Sequence, residues 1–337
     1  MMRKIMLESI LYWAKEYHID GFRFDLMGVH DIESMNIISN ALHKVTPDIV
    51  LYGEGWTAGD CPVPDSLRAL KKNAAKLDRI AVFSDDIRDG IKGSVFDAKD
   101  KGFASDKPSM EESVKFGIAA ACKHPQIDYS KINYSKHPYA VAPWNVITYC
   151  ECHDNNTLWD KLALSRPDAS EEDRKKMHQL ALAIVLTSQG IPFLHAGSEF
   201  LRSKNGVENS YNAGDSINAI KWSLKKKNID VVNYVKRLIK MRKEHPAFRM
   251  ADAKQVARNI LFDDHVPAGT IAYTIIGSAL QDNWKNIFIA FNGSSAEKEI
   301  HLPDGNWKTA IDTDADIKIR SGKVHLKKYS AIVLYKD

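Results

Sequence analysis

Three acids stand out because each follows a short run of strand-forming residues. Asp25 ends Gly21-Phe22-Arg23-Phe24-Asp25, Glu54 follows Leu51-Tyr52-Gly53, and Asp154 follows Tyr149-Cys150-Glu151-Cys152-His153. Side chains alternate along a strand, so Arg23 and Asp25 are expected on one face, where the guanidinium favours the ionised carboxylate that a nucleophile needs. Glu54 sits between two glycines and beside Trp56, a partly desolvated setting that suits a proton donor. A nucleophile and a proton donor about 5–5.5 Å apart are the requirement of retaining glycoside hydrolysis. Asp154 would then orient sugar hydroxyls and stabilise the positive charge of the transition state. Acids at strand ends also serve as caps for the next helix. Three of them, each with aromatic or His neighbours, favour the chemical reading.

The elements that must position these acids alternate. Leu7, Ile10, Leu11, Ala14 and Tyr17 make one helical face, and Ile32, Met35, Ile38, Ala41, Leu42 and Val45 make a second. Strand patterns lie at 21–25, 49–52, 80–83, 146–149 and 191–195, with helical stretches at 66–77, 171–188 and 229–243. Residues 86–142 read as a long irregular excursion with one helix near 111–122. Strand–helix alternation implies an α/β fold with a parallel sheet whose βα loops converge on one rim. After about residue 248 the pattern becomes short, turn-separated strands, at 270–276, 287–291, 310–311, 317–319, 324–326 and 331–335. The expected division is therefore 1–248 as the α/β part and 249–337 as a small antiparallel β-sandwich.

Composition agrees with a globular chain. Of 337 residues, 44% are hydrophobic and 27% charged, which excludes a disordered, collagen-like or coiled-coil chain. The net charge of +4 is spread along the sequence, so no nucleic-acid partner is expected. No window approaches about 18 uninterrupted apolar residues, so no membrane span is expected. Four cysteines in a chain this long do not make a disulfide framework; reduced thiols and a cytoplasmic location are the expectation. Cys150, Cys152 and His153 superficially suggest zinc, but a fourth ligand has no source, and packed thiols are the expected reading, with the two cysteines on one face of a strand. No metal or cofactor is expected. Asp85-Asp86 and Asp312–Asp316 are acid-rich loops in which calcium is conceivable, although their spacing is unlike an EF-hand and solvated acids fit better. Trp144, Trp159 and Trp222 are candidates for lining a glucan groove, with core packing as the alternative.

Long motifs carry a resemblance. Asp20-Gly-Phe-Arg-Phe-Asp-Leu-Met-Gly28, Tyr52-Gly-Glu-Gly-Trp56, Glu151-Cys-His-Asp-Asn155 with Thr157-Leu-Trp159, Phe200-Leu-Arg202 and Asn209-Ser-Tyr-Asn212 resemble the α-amylase superfamily of glycoside hydrolases, and within it the type I pullulanases. The resemblance implies Asp25 as nucleophile, Glu54 as general acid/base and Asp154 as transition-state stabiliser. It implies substrate contacts from Arg23, Trp56, His153 and Arg202, and from the loop residues Asn209, Tyr211, Asn212 and Asp215. The reaction implied is hydrolysis of α-1,6 branch linkages in pullulan, glycogen or limit dextrins, with an α-glucan as partner. A branching enzyme with the same acids is the alternative within the superfamily. The resemblance further implies that this chain supplies strands four to eight of a (β/α)8 barrel. Five strands cannot close such a barrel, so little activity is expected of the chain alone, and a separate N-terminal half is an expected partner.

Overall fold

A computed structural model of the chain describes residues 1–313 and 319–337. The first part alternates as the pattern requires: α1 (Met2–Glu16), β1 (Gly21–Phe24), α2 (Ile32–Val45), β2 (Val50–Gly53), β3 (Ala81–Phe83), α3 (Asp85–Lys92), α4 (Glu111–Ile118), β4 (Val146–Thr148), α5 (Leu158–Ser165), α6 (Glu171–Thr187), β5 (Ile191–Pro192), α7 (Asp215–Asn218), α8 (Ser223–Lys227) and α9 (Ile229–Glu244). The five strands form one parallel sheet in sequential order, β1-β2-β3-β4-β5, with β1 and β5 at its edges. Period-two alternation divides the side chains. Phe22, Phe24, Leu51, Val82 and Val146 pack into the large core shared with the helices. Ala81, Phe83, Ile147 and Tyr149, with Tyr52, Trp56, Cys152 and Phe193, form a separate aromatic cluster on the other face.

The helices start where local chemistry allows. Asp31 caps α2 by accepting from the Ser34 N–H at 2.8 Å, and Ser170 caps α6 with Glu171, Glu172 and Asp173 in the first turn. Every residue of α6 from Met177 to Thr187 is buried, because α6 is enclosed by α5, α9 and the second sheet.

The second part begins with α10 (Ala253–Asn259) and continues as β6 (Ile260–Phe262), β7 (Thr270–Ile276), β8 (Asn286–Asn292), β9 (Lys298–His301), β10 (Lys308–Asp312), β11 (Ile319–Arg320), β12 (Lys323–Leu326) and β13 (Ser330–Lys336). They pair antiparallel as β10-β13-β8-β7-β6 and β11-β12-β9. Ala272, Phe288, Ala290, Ile300, Leu302, Val324 and Leu334 fill the space between the two sheets. The alternate residues of β7 and β8, among them Tyr273, Ile275, Ile289 and Phe291, join the core of the first part. Both faces of the central strands are therefore covered, which explains their unbroken apolar runs.

Several expectations shift. Residues 66–77 are not an α-helix but two 3-10 turns, Asp65–Leu67 and Lys71–Lys76. The segment is tied instead to the loop after β2: the Lys71 N–H donates to the Gly55 carbonyl at 2.8 Å, and Asn73 Nδ2 donates to the Asp65 and Arg68 carbonyls. The strand expected at 191–195 pairs only over Ile191–Pro192, because its partner β4 ends at Thr148, whose carbonyl accepts the last bond from the Phe193 N–H at 2.9 Å. The strand expected at 317–319 lies partly outside the described residues, and Ile319 opens β11. Among the described residues, no helix is long and apolar enough to cross a membrane.

Candidate functional site

Arg23 lies opposite Tyr52 in the β1–β2 register and projects onto the aromatic face, with its guanidinium 5.5 Å from the centre of the Phe83 ring. From there it reaches the ends of both strands. It donates to Glu54 Oε1, while its terminal nitrogen stands 3.9 Å from Asp25 Oδ1. Arg23 was expected to partner Asp25; the structure gives its hydrogen bond to Glu54. The reason is burial. The Glu54 side chain is 7% exposed and must be neutralised or hydrogen-bonded, whereas Asp25 is 70% exposed and already solvated. The Leu26 N–H, in the left-handed turn after Asp25, donates to Glu54 Oε2 at 3.0 Å. Asp25 and Glu54 are thus attached to one cation at adjacent strand ends.

The glycines beside Glu54 are required by close approach. A Cβ on Gly53 would stand 2.8 Å from the Phe24 carbonyl oxygen, and one on Gly55 would stand 2.5 Å from the Lys71 backbone nitrogen. Neither contact is tolerable, so the loop that presents Glu54 is clamped on both sides.

Glu54, Trp56, His153 and Asp154 line one cleft of about 370 Å³. His153 Nε2 is 3.4 Å from Asp154 Oδ1, and both side chains are more than half exposed at the mouth. Lys204 bridges the His153 carbonyl (3.0 Å) and the Glu208 carbonyl (3.2 Å), which fixes the loop after β5 against this segment. Arg202 donates to the Ala196 and Asn218 carbonyls, at 3.1 and 2.7 Å, and so braces that loop from within. Asn209, Tyr211, Asn212 and Asp215 are exposed on it, outside the walls of the cleft.

The floor of the cleft holds residues that the strand-end argument did not single out: Phe83, Asp85, Arg88, Lys92 and Tyr149. Arg88 pairs with Asp89 at 2.5 Å and donates to the Tyr149 hydroxyl at 3.1 Å. Burial lowers Lys92 to about 8, with the Arg88 charge adding to the effect. Asp85 is raised by burial, against the opposing pull of Lys71. Its neighbour Asp86 is fully buried, bonded to Lys71 and to the Ser135 N–H and hydroxyl, both at 2.8 Å. Asp85-Asp86 is therefore not a pair of solvated acids. The other acid-rich loop extends into residues outside the described ones. Among the described residues, no cluster of three or more His, Cys, Asp and Glu side chains has the arrangement of a metal site.

Cys150 and Cys152 do not share a face. β4 ends at Thr148, and beyond it Cys150 turns into the helix-side core while Cys152 joins the aromatic cluster. Burial raises the thiol of Cys152, and Arg23, Glu54 and Asp154 are close enough to act on it electrostatically. All four cysteines are free. Of the tryptophans, Trp159 packs on His178 and Arg174 and Trp222 on Phe200. Trp144 borders a separate apolar groove of about 570 Å³ beside β5, which has no carboxylate in its lining.

With this geometry in view, the likeness to known proteins is informative. Residues 256–315 match the family model for the pullulanase all-beta domain. Pullulanase from Bacillus subtilis is 36% identical over 307 residues, covering 90% of this chain and 41% of the relative. Pullulanase 1, chloroplastic, from Arabidopsis thaliana is 31% identical, covering 76% of this chain and 32% of the relative. The crystal structure of pullulanase from Paenibacillus barengoltzii, in complex with maltohexaose and α-cyclodextrin, superposes with a TM-score of 0.91 at 41% identity, covering 99% of this chain and 50% of that one. Pullulanase from Anoxybacillus sp., complexed with maltotetraose, gives 0.90 at 37% identity, with 99% and 46% covered. The chain spans half or less of the length of each of these proteins. By sequence and by fold alike, it belongs to the pullulanase family.

Proposed function

We propose that the cleft hydrolyses α-1,6-glucosidic branch linkages in an α-glucan by double displacement, with retention. Asp25 carboxylate attacks the anomeric carbon while Glu54 passes its proton to the departing glycosidic oxygen. Glu54, now a carboxylate, takes a proton from water, and the hydroxyl oxygen displaces Asp25 from the glycosyl ester. Asp154 and His153 hold the sugar at the mouth, and Trp56 offers a stacking surface. Glu54 supplies both proton transfers and Asp25 the nucleophile, so no cofactor is invoked. The observation that carries this reading is Arg23, one cation within ion-pair distance of both Asp25 and Glu54.

The five parallel strands are read as strands four to eight of a (β/α)8 barrel, with residues 249–337 as the following all-β domain, and the missing wall as an N-terminal half. Catalysis by the purified chain alone is then expected to be slight. Robust maltotriose release from pullulan by the 337-residue chain would overturn that dependence. With the N-terminal half supplied, Glu54→Gln is expected to lower kcat by roughly 10²–10⁴, and Asp25→Asn to abolish turnover. A normal rate in either variant removes its assigned role. Chain lengthening of amylose in place of pullulan cleavage would indicate a transferase.

A further inference from the structure

Glu151 is 3% exposed, three residues before Asp154, and the reaction above makes no use of it. A carboxylate this deep is tolerated when its oxygens are hydrogen-bonded, and both are. Oε2 accepts from the Leu158 N–H at 2.7 Å, which closes the chain on itself across residues 152–157. His153 and Asp154 ride on that turn, with Asn155 bending it at φ +60°. Oε1 accepts from the Ser198 hydroxyl, on the loop after β5. Ser198 is held in its turn, because its carbonyl accepts at 2.8 Å from Nε2 of the fully buried His178 on α6.

A third neighbour is His195. Arg202 Nη1 stands 3.3 Å from His195 Nε2. A guanidinium only donates, so this nitrogen accepts and the imidazole proton sits on Nδ1, which faces Glu151 Oε2 at 3.7 Å. Burial by itself would raise the Glu151 carboxyl; His195, His178 and the Ser198 hydroxyl outweigh it and hold it down at about 2. The group is therefore an acceptor across the neutral range. The Asp154 side chain, by contrast, is 67% exposed, with His153 Nε2 at 3.4 Å, so its aim is set by the backbone of the turn.

We propose that Glu151 is the positioning residue of Asp154: its two oxygens close the turn that carries this acid and fasten it to the loop after β5. The inference rests on the functional reading above, in which Asp154 holds the sugar.

The test is calorimetric titration of the full 337-residue chain with maltotetraose. Glu151→Asp keeps the charge but shortens the arm, so it cannot reach Leu158 and Ser198 together. Glu151→Gln keeps the length: its carbonyl serves Leu158, and the Ser198 hydroxyl turns to accept from its amide. Glu151→Asp and Asp154→Ala are each expected to bind roughly tenfold more weakly, and Glu151→Gln to bind within about twofold of wild type. In an Asp154→Ala background, Glu151→Asp is expected to cost nothing further, a coupling that a purely structural role would not produce. Should Glu151→Asp fail to fold, Ser198→Ala removes one arm alone and is expected to show the same coupling. Additive losses, a loss in Glu151→Gln as large as in Glu151→Asp, or wild-type affinity in Glu151→Asp beside a loss in Asp154→Ala would overturn the positioning role and leave the glucan cleft standing. Absence of binding by the wild-type chain, or wild-type affinity in Asp154→Ala, would overturn both.

Discussion

Lys92 carries a costly charge at the floor of the cleft. Its ammonium is enclosed at the end of α3 and makes only a long bond, 3.4 Å, to the Asn156 carbonyl. Its value near 8 lies below the 10.5 of a free lysine. Below pH 8 both folded and unfolded chains hold the proton, and the native state bears the full cost of the buried charge. Between about 8 and 10.5 the unfolded chain binds more protons than the folded one, so this group makes stability rise with pH. Lys92→Met is therefore expected to raise the melting temperature at pH 7, by the equivalent of about 1–3 kcal/mol, with the gain fading as the pH approaches 10. Thermal melts of the two proteins across that range check it; a gain that is flat with pH, or a loss at pH 7, would count against a buried ammonium.

At the scale of elements, the clamp on the β2 loop is the feature most open to disruption. Gly55→Ala forces a methyl group against the backbone of Lys71, which cannot swing aside as a side-chain end would. The expected cost is about 1–3 kcal/mol, and Glu54 should be displaced from Arg23 as the loop moves. Differential scanning calorimetry together with maltotetraose affinity would read both effects. Unchanged stability and affinity would mean the loop has slack that its contacts do not suggest. The same clamp explains why residues 66–77 abandon their helical pattern: Lys71 and Asn73 use their bonding groups on the neighbouring loop and on their own turn.

For the whole molecule, the open parallel sheet has consequences. Among the described residues β1 and β5 each have one unpaired edge, the apolar groove of about 570 Å³ runs beside β5, and Ile5, Tyr12, Trp13 and Tyr17 expose an apolar patch on and just after α1. Unpaired edges and contiguous apolar surface favour association. Sedimentation velocity is expected to show species larger than 37.9 kDa growing with concentration. Tyr12→Ser combined with Trp13→Ser, or addition of a relative's N-terminal half, is expected to reduce them. A single monomeric boundary at every concentration would refute the expectation.

The sequence by itself determined the strand–helix alternation, the change to short antiparallel strands in the second part, and the placing of Asp25 and Glu54 directly after strands. These follow from periodicity and chain punctuation, which are local. Only the tertiary structure decided which acid Arg23 would hold, because that depended on the unequal burial of two carboxyls 29 residues apart in the chain. It also decided that Asp86 is buried rather than solvated, that Cys150 and Cys152 part company after β4, and that Asp85, Arg88, Lys92 and Phe96 meet at the cleft. Ser94-Val95-Phe96-Asp97 has no periodic signal to mark it. Its turn is fixed by the buried Lys161, far along the chain, and such a partnership exists only once the helices have packed.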